Sequence, residues 1–180
     1  DTVNHKLLLH TLGSRQFSPS AVVLLESYLT NRSQIMKVGE SKSNSLPITC
    51  GVPQGSILGP ILFNLAINGL LLSFENSFAY ADDTLLFCEA TSIPEVLEKS
   101  HTLLKDASQW YNSHLLKLNV QKTQFCIFSN RNLKDYFHLN FQNTKIESQL
   151  SINVLGVALD TDLSFYTHAT EVATRANKLV

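Results

Sequence analysis

Two adjacent carboxylates, Asp82 and Asp83, stand between short apolar runs in the segment Phe78-Ala79-Tyr80-Ala81-Asp82-Asp83-Thr84-Leu85-Leu86-Phe87. Runs of this length read as paired, buried strands, and a tight connection between them lifts both carboxylates to the tip of a hairpin. Two like charges so close repel and desolvate poorly, which makes a divalent cation their natural partner. An Asp-rich surface turn is the competing reading, because Asp favours turns through local hydrogen bonds.

Upstream, Gly51, Pro53, Gly55, Gly59 and Pro60 make Cys50 to Pro60 the most punctuated stretch of the chain. A helix is expected to start between Ser56 and Pro60. Ile61, Leu62, Phe63, Leu65, Ala66 and Ile67 cover most of its circumference, which predicts a largely buried helix. Gly55 has no side chain to hold off a base pair or sugar that approaches the backbone. An ordinary loop-to-helix connection accounts for the same residues.

Elsewhere, Ser18-Pro19 caps a helix with Val22, Leu25 and Leu29 on one face, ending near Asn31. Gln34 to Val38 and Leu46 to Cys50 read as strands joined by a polar loop, Gly39 to Ser45. Ser92-Ile93-Pro94-Glu95 has capping-box spacing before a long amphipathic helix with Val96, Leu103, Ala107 and Trp110 in one stripe. Phe125 to Phe128 reads as a buried strand, Phe137 to Phe141 and Lys145 to Ile146 as strands around Gln142-Asn143, and Val154 to Leu159 as another. His168 to Val180 begins a further helix. Strands and helices interleave without regular βαβ spacing, so the expected class is α+β with a mainly antiparallel sheet packed against helices. Ile61, Phe63, Ile67, Phe78, Phe87, Trp110, Phe125 and Leu155 are expected in one core on that sheet.

With 180 residues, 44% of them hydrophobic, one compact domain is the default. The apolar stretch Ile61 to Leu72 is broken by Asn64, Asn68 and Gly69 and falls short of the ~20 residues of a membrane span, so no membrane partner is expected. Cys50, Cys88 and Cys126 are widely spaced in apolar contexts and read as buried free thiols. A net charge of −1 argues against binding nucleic acid through bulk charge and leaves any such contact to local clustering; Lys6, Arg15, Arg32, Lys37 and Lys42 give the N-terminal third a modest basic excess, most of which reads equally as solvated surface.

Five motifs in order resemble the reverse transcriptase palm of non-LTR (LINE-type) retrotransposons. Gly51-Val52-Pro53-Gln54-Gly55-Ser56 is followed about 25 residues later by Tyr80-Ala81-Asp82-Asp83. Asp1-Thr2-Val3-Asn4-His5 resembles the end of the family's first catalytic motif, Leu118-Asn119-Val120-Gln121-Lys122-Thr123 its lysine motif, and Leu155-Gly156-Val157-Ala158-Leu159-Asp160 its primer-grip hairpin. The resemblance implies DNA synthesis on an RNA template from a DNA primer and dNTPs, using two Mg²⁺ ions or Mn²⁺ in their place. It implies metal binding by Asp82 and Asp83, nucleotide and template contact by Pro53, Gln54, Gly55 and Ser56, and primer positioning by Leu155 and Gly156. Lys122 would act at the triphosphate as a cation or proton donor.

One departure accompanies the match. The family's first metal-binding aspartate lies several residues before the position of Asp1, which corresponds to a later, noncatalytic aspartate. The expectation is therefore a single partial domain over residues 1–180, a palm beginning after that ligand, inactive alone, with a thumb connection starting at about residue 166. A repurposed, noncatalytic nucleic-acid or protein-binding module is the alternative. A viral-type RNA-dependent RNA polymerase palm fits Pro53-Gln54-Gly55 and the Leu-Gly-Val hairpin less well. The family resemblance implies a place inside the cell, nuclear or cytoplasmic.

Overall fold

The computed structural model describes residues 2–130, 133 and 135–178. Among these, five α-helices and ten short strands form an α+β structure, the strands paired as five antiparallel two-stranded ladders. The chain divides into two compact units, Asp1–Cys88 with Asp106–Leu118, and Glu89–Lys105 with Asn119–Val180. No helix among the described residues is long and apolar enough to cross a membrane.

In the first unit, α1 (His5–Ser14) starts where the Asn4 side chain accepts the Leu7 N–H at 3.1 Å, and buries Leu8 and Leu12 one turn apart. This helix is not among those expected from the sequence, although the Asn4 cap and the Leu8 and Leu12 spacing are its local signals. Helix α2 (Pro19–Leu29) matches expectation: the Ser18 hydroxyl accepts the Ala21 N–H, Leu29 is buried, and Asn31 is left-handed beyond its end. The expected pair of strands over residues 34–50 is instead two nested hairpins, β1 (Ser33–Gln34) with β4 (Leu46–Pro47) enclosing β2 (Lys37–Val38) with β3 (Ser41–Lys42). Lys37 and Lys42 lie directly opposite each other in the inner ladder.

Helix α3 (Leu58–Ser73) starts where expected but is buried on one side only. Leu62, Ile67 and Leu70 are buried, while Ile61 is 51% exposed and Ile57, Leu58 and Leu72 also face solvent. The core joins Val3, Leu8, Leu12, Leu29, Leu62, Ile67 and Leu116, with Val52, Phe63, Ala79, Trp110 and Tyr111 at its margin. Gly69 lets the indole of Trp110 lie against α3, since a Cβ there would stand 3.2 Å from the ring. The expected single core on a sheet is therefore corrected. Ile67 is buried and Phe63 and Trp110 border the core, but Ile61, Phe78, Phe87 and Leu155 are exposed. For Phe78, Phe87 and Leu155 the reason is architectural: a two-stranded ladder cannot cover both of its own faces, and no wider sheet forms among the described residues.

Helix α4 (Ile93–Ser113) runs through the residue ranges of both units. At its start Glu95 reaches back to the Thr91 N–H and hydroxyl, one residue earlier than the expected capping box, and pairs with Lys99 at 2.9 Å. In the second unit, β7 (His138–Phe141) and β8 (Thr144–Glu147) form the expected hairpin, with Gln142 and Asn143 both at positive φ as a type I′ turn requires. The His101 ring on α4 donates from Nδ1 to the Leu97 carbonyl and accepts the Asn140 N–H of β7 at 3.0 Å.

Phe125 to Phe128 is not a strand. Phe125 makes one isolated parallel bridge to Ser148, and Ile127 alone of the four is fully buried. Val154 to Leu159, expected as one strand, is instead the bend of a hairpin: β9 (Ser151–Val154) pairs with β10 (Val157–Asp160) around Leu155-Gly156. Helix α5 (Tyr166–Asn177) starts two residues before the helix expected from His168. None of the three cysteines is in a disulfide, but Cys50 is exposed and Cys88 and Cys126 are half-buried rather than buried.

Candidate functional site

Strand β5 (Ser77–Tyr80) pairs with β6 (Asp83–Leu86) in a register that sets Tyr80 opposite Asp83. Ala81 and Asp82 are therefore the two-residue turn, and Asp83 opens the second strand; both carboxylate residues are exposed. Ala81 has φ +51°, the left-handed region usually left to glycine at the first position of such a turn. Residues opposite one another share a face, so Phe78, Tyr80, Asp83 and Leu85 lie together. That face is open: Phe78 is 63% exposed and stacks on Phe87 with ring centroids 5.7 Å apart, which corrects the expectation of buried strands.

The other face holds the hairpin in place. Ala79 packs against the core, and the Thr84 hydroxyl, next to Asp83, hydrogen-bonds the Tyr111 hydroxyl at 2.9 Å. Tyr111 in turn meets Trp110 edge to face. Sequence reasoning missed the Thr84–Tyr111 bond because its partners are far apart in the chain and belong to no local pattern. Among the described residues no three His, Cys, Asp or Glu side chains converge on one cation position. Asp82 and Asp83 offer the hard oxygen donors that Mg²⁺ prefers, and as two residues they supply only part of a coordination shell.

The Gly51–Ser56 loop is tied to the chain's first residues. Gly51 donates its N–H to the Val3 carbonyl at 2.8 Å, and the buried His5 donates from Nε2 to the Gly51 carbonyl at 2.7 Å. Asn4 and Cys50 form an antiparallel bridge beside them. Two of the motifs are thus joined directly, whereas Asp1 itself lies outside the described residues. The Ser56 hydroxyl donates to the Pro53 carbonyl at 2.7 Å and accepts the Gly59 N–H at 2.9 Å, closing the loop onto the start of α3. Gln54 and Gly55 are exposed, and the space beside Gly55, at φ +72°, is open.

Gly59 is the crowded position. A Cβ there would stand 2.6 Å from the Pro53 carbonyl oxygen and 3.1 Å from the Ser56 hydroxyl. Gly59→Ala is expected to push the loop off the helix at a cost of roughly 1–3 kcal/mol, as for other overpacked sites. Urea unfolding of the 180-residue chain measures it, and an unchanged midpoint would mean that loop and helix are not packed this closely.

Lys122, Leu155 and Gly156 belong to the second unit, while Pro53, Gln54, Gly55, Ser56, Asp82 and Asp83 belong to the first. Lys122 ends a 3₁₀ turn over Val120–Lys122 and is exposed; Asn119 caps the turn by accepting the Lys122 N–H. Leu155 and Gly156 are both exposed, at φ +51° and +84°, again the type I′ signature. The Asn153 side chain accepts the Gly156 N–H at 2.9 Å and fixes the bend.

The pattern of the family described as reverse transcriptase (RNA-dependent DNA polymerase) matches residues 1–159. The chain is 28% identical over 181 aligned residues to the RNA-directed DNA polymerase from mobile element jockey of Drosophila melanogaster, covering 96% of this chain and 20% of that protein. It is 28% identical over 155 residues to the probable RNA-directed DNA polymerase from transposon BS of the same species, covering 81% and 17%. A retrovirus-related Pol polyprotein from type-1 retrotransposable element R1 2 of Nasonia vitripennis is 34% identical over 77 residues, 41% of this chain and 19% of that protein. The chain therefore spans at most about a fifth of the length of these relatives. With a match that runs from the first motif into the Leu155–Asp160 hairpin, the chain belongs to the reverse transcriptase family, in its non-LTR retrotransposon branch.

Proposed function

We propose that this chain is palm-like and carries part of the nucleotidyl-transfer site of an RNA-directed DNA polymerase, a partial domain within a longer protein. The observation that carries the proposal is the β5–β6 hairpin, with Asp82 in its turn, Asp83 beside it, and Thr84 anchored to Tyr111. A strained turn held from behind fits a site that must present charge in a fixed position. Asp82 is the principal metal ligand in this reading and Asp83 the supporting one. A bound pair of divalent ions would neutralise charge developing on the phosphoryl oxygens.

The other roles follow from what each residue can do. Gln54 and the open backbone at Gly55 face the incoming nucleotide and template, with Pro53 and Ser56 holding the loop's shape. Lys122, a cation on a capped turn, serves the triphosphate. Leu155 and Gly156 bear on the primer from a rigid bend. Template, primer and dNTP are the partners this reading requires.

The test is metal binding by the 180-residue chain. Mg²⁺ demands near-octahedral oxygen ligands and gives up water reluctantly, so two carboxylates are expected to bind it at millimolar affinity or weaker, as an order of magnitude. Titration with Mn²⁺ as a paramagnetic probe is expected to show binding that Asp82→Ala removes. Binding that survives this change would place the cation elsewhere and sink the assignment.

A further inference from the structure

Asp160 ends β10 as one of three buried polar or charged residues among those described, at 8% exposure. Among the described residues no cation pairs with its carboxylate. One oxygen accepts the Ser164 hydroxyl at 2.8 Å and the other the Phe165 N–H at 3.1 Å, while the Ser164 N–H is taken by the Asp162 carboxylate at 3.4 Å. Burial raises the pKa of this carboxyl, but the hydrogen bonds from Ser164 and the backbone ahead of α5 outweigh it and leave it below the usual aspartate value. From the other side, the His168 ring in the first turn of α5 accepts the Ala158 N–H of β10 at 3.4 Å. The five residues between strand and helix include two non-glycine residues at left-handed φ, Leu163 at +56° and Phe165 at +58°. A chain adopts two such residues in so short a span only where other bonds hold it there.

We infer that Asp160, with Ser164 and His168, is a clasp that sets the angle between the β9–β10 hairpin and α5, and that Asp160 is a positioning residue for the primer. This inference rests on the reading of Leu155 and Gly156 as primer-contacting. The clasp lies at the open end of the hairpin, where Asp160 pairs with Ser151, about 10 Å along the strand from the bend. A tilt allowed at that base is carried to the bend. With the clasp intact, the hairpin holds a single orientation. Without it, the competent orientation is one of several, and apparent primer affinity falls by the fraction of time spent in it. Saturating primer restores the competent state, so the loss falls on primer KM and leaves the chemical step alone.

The test uses a complete polymerase carrying these residues, with steady-state kinetics on an RNA template and DNA primer. Asp160→Asn keeps the volume of the side chain and removes acceptor capacity; Ser164→Ala removes one donor from the exposed side. Each is expected to raise primer KM, by about tenfold for Asp160→Asn, with kcat at saturating primer and the dNTP KM within about twofold. The double variant is expected to be no worse than Asp160→Asn alone, because both act on one clasp. Leu155→Glu, which sets a negative charge at the exposed bend, reports on the underlying reading by raising primer KM. If Leu155→Glu raises primer KM while folded Asp160→Asn and Ser164→Ala do not, the clasp has no positioning role and the primer reading stands. If Leu155→Glu leaves primer KM unchanged, the primer reading falls and the clasp's role with it. Equal losses in kcat and in the use of both substrates by the clasp variants would reduce Asp160 to a stabilising residue. Should Asp160→Asn fail to fold, Ser164→Ala decides the question.

Discussion

In a complete polymerase carrying these residues, Asp82→Asn is expected to abolish Mg²⁺-dependent extension of a DNA primer on an RNA template, a loss of at least about a thousandfold in kcat. Replacing a carboxylate by an amide keeps its size but removes the charge that holds a hard cation. Losing one electrostatic stabiliser of a developing oxyanion already costs on the order of 10²–10³ in other enzymes, and a metal ligand does more than one hydrogen bond. The fold is expected to survive, since Asp82 is exposed in a two-residue turn and Asn is at home there. An unchanged urea midpoint together with lost extension separates chemistry from unfolding. Extension retained at more than a tenth of the wild-type rate would mean that Asp82 is not the principal metal ligand.

What the sequence made legible here was local. Ser18-Pro19 capped a helix because a hydroxyl and a fixed φ act within one turn, and Gln142-Asn143 bent a hairpin because such residues tolerate positive φ. The bend beside Asp82 and Asp83 was readable from the short apolar runs on either side, although the turn itself is Ala81-Asp82 and Asp83 opens the second strand. Burial was not, because periodicity tells which residues share a face and not whether anything covers that face. Phe78 and Phe87 alternate as a buried strand would, yet their ladder ends at two strands and their rings stack in the open. Phe125 to Phe128 has strand composition but, among the described residues, makes a single bridge. The contacts that secure the candidate site, Thr84 to Tyr111 and His5 to Gly51, join residues far apart in sequence. Asp160 was visible only as the last residue of the Leu155–Asp160 motif, since nothing in Val157 to Asp160 shows that its carboxylate gathers the Ser164 hydroxyl and the Phe165 N–H ahead of α5.

The largest effect on stability is expected at Leu62. Its side chain is 1% exposed within the cluster of Leu8, Leu12, Leu29 and Ile67, so Leu62→Ala removes well-packed methyl groups and leaves a cavity between helices. Such truncations cost about 2–5 kcal/mol, a large share of the roughly 5–15 kcal/mol that holds a typical domain together. The apolar pattern alone pointed instead to its neighbour Phe63 as a main core residue. In the structure Phe63 is half-buried at the margin of the core, so Phe63→Ala is expected to cost less than Leu62→Ala even though it deletes a larger side chain. The order of the two is more telling than either value, because adjacent residues on α3 point about 100° apart and cannot both face the core centre. Urea unfolding of the two variants measures it. A greater loss for Phe63→Ala would mean that α3 is turned about its axis, and the Pro53, Ser56 and Gly59 contacts at the helix start would have to be redrawn with it.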